Sequence, residues 1–122
     1  MKLTEQKTER RRFTRHKVNR RPIAILGPDP VRVGHVTIIS DAAAEIQFSE
    51  TNGRAANKFS ELVVLIPEYN SAFLSGKIHV ETVSCSPARN NGSCLQSRMR
   101  KCVISLNNLT PIKRQQLKSA CL

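Results

Sequence analysis

The sequence predicts an all-β domain, a Greek-key barrel or sandwich closed by one C-terminal helix and preceded by a flexible basic arm. Three observations lead there. Short β-branched runs recur between Gly, Pro and Asn turn signals, no helix-length pattern separates them, and the hydrophobic period changes only after Thr110-Pro111. At 122 residues the chain has room for one hydrophobic core and not for two. The division expected is an arm over residues 1–17 and a barrel with its helix over residues 18–122.

In chain order, residues 1–9 are polar and carry no period, so no element is expected there. From Val18 the chain becomes strand-like, and Pro22-Ile23-Ala24-Ile25-Leu26 ends against Gly27-Pro28-Asp29-Pro30, which cannot continue a ladder. Arg32–Ile39 forms the second strand, with Gly34, Val36 and Ile38 on one face and Val33, His35, Thr37 and Ile39 on the other. Ser40-Asp41-Ala42-Ala43 is a tight connection into a third strand, where Ala44, Ile46 and Phe48 alternate with Glu45 and Gln47. Asn52-Gly53 signals a turn, and the fourth strand, 62–66, is stopped by Pro67. Residues 77–85 and 99–106 make two further strands joined by a wide loop containing Asn90-Asn91-Gly92. Thr110 as cap and Pro111 in the first helical position start a helix running toward Leu122, with Ile112, Leu117 and Cys121 facing the body and Lys113, Arg114 and Lys118 in water.

The net charge of +11 is unevenly placed, since nine of the twenty Lys and Arg fall in the first 22 residues against two Glu. Such asymmetry suits a polyanion, an anionic membrane surface or a phosphorylated small ligand. The first residues lack the apolar core of a signal peptide and no run approaches the ~20 apolar residues of a membrane span, so a soluble, cytoplasmic protein is expected. Cys85, Cys94, Cys102 and Cys121 lack the close pairing of zinc ribbons and are expected as reduced thiols, and His16, His35 and His79 have no neighbouring ligand, so no metal is assigned. Gly-x-Ser-x-Gly, His-Glu-x-x-His, a phosphate-cradling Gly loop and a carboxylate pair are all missing, which points to recognition rather than catalysis.

The arm, residues 9–16, reads Glu-Arg-Arg-Arg-Phe-Thr-Arg-His and contains an Arg-x-x-x-Arg spacing at Arg11 and Arg15. Guanidinium forks donate paired hydrogen bonds to phosphate oxygens or to guanine edges, a geometry Lys does not offer. A solvated basic tail is the alternative reading of the same residues.

Residues 9–15 of this arm, then Gly34-His35-Val36-Thr37-Ile38-Ile39-Ser40 entering a tight turn, then a terminal Leu109-Thr110-Pro111 helix together resemble a PilZ domain over residues 9–122. The resemblance implies a six-stranded Greek-key barrel that receives the bacterial second messenger cyclic di-GMP through an Arg-x-x-x-Arg arm and an Asp/Asn-x-Ser-x-x-Gly turn. Arg11 and Arg15 match the first motif, and Arg10 before them is implied to help hold a second, stacked ligand. Ser40 fills the serine slot of the second, whereas Ile38 stands in the acid or amide slot and Ala43 in the glycine slot. The expected ligand-binding set is Arg10, Arg11, Arg15, Ser40, Asp41 and Ala43, with no cofactor besides the nucleotide. Ile38 offers the ligand neither donor nor acceptor, and Ala43 adds a methyl group costing roughly 1 kcal/mol if the backbone there needs glycine's freedom. Nucleotide binding is expected to fix the arm against the barrel and present a surface to an unidentified protein effector. Two other readings stand beside it. One is a PilZ-like adapter of motility or pilus machinery that does not bind the nucleotide. The other is a non-specific nucleic-acid binder, disfavoured by an aromatic content of 4% and by a charge gathered in the arm.

Overall fold

The computed structural model of the chain describes residues 14–18, 20, 22–50, 58–68, 71–88 and 99–122. Among the described residues, nine antiparallel strand segments and one helix run in the order β1 (His16–Lys17), β2 (Ile23–Gly27), β3 (Arg32–Ile39), β4 (Ala43–Ser49), β5 (Glu61–Glu68), β6 (Ser71–Leu74), β7 (Ile78–His79), β8 (Glu81–Pro87), β9 (Met99–Ser105) and α1 (Pro111–Cys121). The six expected strands become nine because β1 and β6 are additional and the run 77–85 is split into β7 and β8. The fourth strand does not stop at Pro67 but continues to Glu68, paired with β6. β1 and β2 lie end to end along β3, and β6 and β7 both lie along β5. β1 falls within residues 1–17, so the end of the arm is itself part of the sheet.

Neighbours follow the order β6-β5-β2-β3-β4-β9-β8. The sheet curls because the run from β7 into β8 pairs first with β5 and, beyond Val80, with β9. Side chain and backbone tie that crossing down. Val80 N donates to Ser60 O at 3.0 Å, and the Thr82 hydroxyl both accepts from Phe59 N at 2.8 Å and reaches Phe59 O at 3.0 Å. Inside lie Ala24, Leu26, Ile46, Leu62, Val64, Ile66 and Ile104, all buried, with Phe48 edge-on to Phe59 at 5.7 Å between ring centroids. Removing these apolar faces from water is the main force holding the sheet curled.

The expected faces of the second strand are corrected by a bulge. Register shifts between Val36 and Ile38, where β3 has one more residue than β4 opposite it. The extra residue reverses the alternation, so Val36 and Ile39 are both buried while Ile38 is turned partly outward. Arg32 closes the other end of β3 on Glu50, Nε to Oε2 at 2.8 Å, and this hydrogen bond raises the Arg32 pKa against the opposing effect of burial.

Two expectations about the helix and the cysteines are also corrected. Thr110 caps α1 by accepting from Lys113 N at 3.3 Å, and Leu117 and Cys121 face inward, but Ile112 is 71% exposed. Leu117 is five positions after Ile112, about 140° around a helix of ~3.6 residues per turn, so both cannot face the sheet. Cys85 and Cys102 are not reduced thiols but a disulfide. The β8–β9 register sets them directly opposite one another, the placement in which cross-strand Cβ atoms come closest. Cys121 stays a free thiol, its pKa pushed up to about 11 by burial. Asn52-Gly53, Asn90-Asn91-Gly92 and Cys94 lie outside the described residues.

Candidate functional site

The turn between β3 and β4 is closed by its own first residue. Ser40 N donates to Ala43 O at 2.9 Å, while the Ser40 hydroxyl oxygen accepts from Ala42 N at 3.3 Å and Ala43 N at 3.2 Å. That hydroxyl is 3.3 Å from Ala43 O as well, and Ser40 is only 7% exposed. Ser40 therefore shapes the turn from inside, as serine does in ST-turns. Asp41 is held by Lys118 of α1, Oδ1 to Nζ at 2.8 Å, so Lys118 reaches back across the turn and is not simply in water. Ala42 O accepts from Leu106 N at 2.8 Å, and Ala43 opens β4 opposite Ser105.

The arm reaches this turn by strand register. His16 pairs with Ile39 and Lys17 with Ile38, so one step further along both strands sets Arg15 beside Ser40. Val18 N donates to Thr37 O at 3.0 Å and extends the same ladder. Arg15 is exposed. Arg10 and Arg11 lie outside the described residues. Of the expected set, Arg15, Ser40, Asp41 and Ala43 thus share one end of the sheet.

Beside that end lies a recess of about 490 Å³ on the outer face of β3 and β4, a size ordinary for small-molecule sites. Lys17, His35, Ile38, Glu45 and Gln47 line it, and Thr37 donates its hydroxyl to Glu45 Oε2 at 2.7 Å. Arg15 stands just before β1, two residues ahead of Lys17, which is the spacing of one face if the extended chain continues. Sequence reasoning assigned neither Thr37 nor Glu45 to a site. Glu45 looked like an ordinary outward residue of an alternating strand, and only the bulge in β3 gathers these side chains.

A curled antiparallel sheet with one C-terminal helix, entered by a short strand from a basic arm, is a PilZ-like β-barrel architecture. No family model and no curated protein sequence matches the chain. Among solved structures it is similar to YcgR from Escherichia coli in complex with c-di-GMP, with a TM-score of 0.61 and 13% identity. The likeness covers 90% of this chain and 43% of the other, so the chain spans under half the length of that neighbour. At this identity the likeness carries the fold. Among the described residues, no helix is long and apolar enough to cross a membrane.

Proposed function

We propose that the chain is a PilZ-family receiver domain for cyclic di-GMP, a binding module rather than an enzyme. The observation that carries the reading is the β1–β3 register, which brings Arg15 of the Arg-x-x-x-Arg arm beside the Ser40 turn, on a fold shared with a protein solved in complex with this nucleotide. Arg11 and Arg15 supply the paired donors for phosphate or guanine, and Arg10 adds a cation for a second, stacked ligand. Ser40 serves by holding the turn, with Asp41 and Ala43 at its rim. The nucleotide fixes the arm against the barrel, and the two together form the surface that a protein effector reads.

A second reading, an adapter that works without the nucleotide, is favoured by the same turn: Ile38 is apolar, the Ser40 hydroxyl is used within the turn and Asp41 is paired with Lys118. Calorimetric titration with cyclic di-GMP at moderate salt separates them. A receiver binds with a dissociation constant on the order of 1 μM, about −8 kcal/mol. Arg15→Lys, which keeps the charge but loses the fork, weakens that by roughly 1–3 kcal/mol. Folded wild-type protein that gives no heat at about 100 μM nucleotide overturns the receiver and leaves the adapter.

A further inference from the structure

Glu45 is 8% exposed, yet it lies on the outer side of β4, where its neighbours Ala44 and Ile46 turn inward to the core. Its carboxylate has one donor, the Thr37 hydroxyl on Oε2, and among the described residues it makes no ion pair and no further side-chain hydrogen bond. The carboxylate borders the recess, and its two oxygens offer about four acceptor positions, of which Thr37 takes one. The remaining acceptor capacity is open to a donor that enters the recess. Thr37 sits at the bulge, so the bulge that turns Ile38 partly outward also sets the donor that orients Glu45.

We propose that Glu45, oriented by Thr37, is the specificity-determining acceptor for the base of the bound nucleotide and selects guanine over adenine. The inference rests on the cyclic di-GMP reading and assigns the base contact that Ile38 is unable to make. Guanine presents N1–H and N2–H side by side, a pair of donors matching the two oxygens of a carboxylate. Adenine presents a lone pair at N1 beside its amino group, so the same carboxylate is repelled. A guanidinium from a protein partner would also fit the two oxygens, but Lys17 lines the recess and Arg15 stands two residues before it. Those cations repel an arginine and attract phosphate. An acceptor flanked by cations suits one molecule that carries both a donor edge and phosphates.

The test is calorimetry on the full chain with cyclic di-GMP, cyclic di-AMP and the inosine analogue cyclic di-IMP, which keeps N1–H and lacks the 2-amino group. Wild type is expected to bind cyclic di-GMP about tenfold more tightly than cyclic di-IMP and to bind cyclic di-AMP least. Glu45→Gln is expected to lose about tenfold for cyclic di-GMP and to stop distinguishing it from cyclic di-IMP. Where Glu45→Gln fails to fold, the wild-type ranking of the three nucleotides decides alone. Equal wild-type affinity for cyclic di-GMP and cyclic di-IMP, or a folded Glu45→Gln that keeps the full preference, overturns the role of Glu45 while leaving the receiver reading intact. No binding of any of the three removes the receiver reading and this inference together.

Discussion

At the scale of single residues, the site depends on how closely β3 and β4 approach. Gly34 pairs with Phe48, and a Cβ added there would collide with the carbonyl oxygen of Gln47 and come within 2.9 Å of Phe48 Cβ. Backbone on the next strand is not free to give way. Gly34→Ala is therefore expected to cost roughly 3 kcal/mol and lower the melting temperature by on the order of 10 °C. A folded variant melting within about 2 °C of wild type would mean that the strands can separate there without loss. The sequence showed Gly34 on a strand face and at the start of the stretch entering the turn, but not why glycine is needed there, because the partner that makes it necessary is supplied by pairing, not by neighbours in the chain.

At the scale of elements, the strands and the helix start were legible because they are written locally. A β-branched run ended by Gly27-Pro28 and a Thr110-Pro111 cap need no tertiary information, whereas Pro67 does not end its strand, because β6 pairs with β5 through Pro67 to Glu68. The bulge in β3 was not legible, since nothing in Val36-Thr37-Ile38 announces an extra residue. Ile38 and Ile39 exchanged roles as a result. The same limit kept Thr37 and Glu45 out of the candidate set and the Cys85–Cys102 disulfide out of the cysteine spacing, whereas Arg15 and Ser40 could be named as candidates from motifs carried by short runs. The cap makes its own prediction. Thr110→Ala removes the acceptor for Lys113 N and is expected to cost about 1 kcal/mol, read as an earlier denaturation midpoint with an unchanged slope. An unchanged midpoint would assign the start of α1 to Pro111 and to packing by Leu117 instead.

At the scale of the whole molecule, the disulfide joins β9 to β8, the last strand of the sheet order, linking positions 17 residues apart. A closed loop of that size stabilises by about 3 kcal/mol, mostly by restricting the unfolded chain. Thiol reductant is expected to lower the melting temperature of wild type and to leave that of Cys85→Ser unaffected. Equal melting of wild type with and without reductant would show that the bond contributes nothing to stability. Cys121, buried at the far end of the chain, is shielded from exchange with it.

The two-residue strand β1 turns chain length into information. Five residues separate Lys17 from Ile23, and both β1 and β2 are indexed against the same strand. Their number sets the phase in which the arm meets β3, much as the spacing of teeth sets which gear face meets which. One residue more or fewer would turn Arg15 to the opposite side of the ladder while every candidate side chain kept its identity. Melting of the barrel would scarcely register such a change. On the proposed reading nucleotide affinity would, so the count of residues in that short connection matters to binding as much as the arginines do.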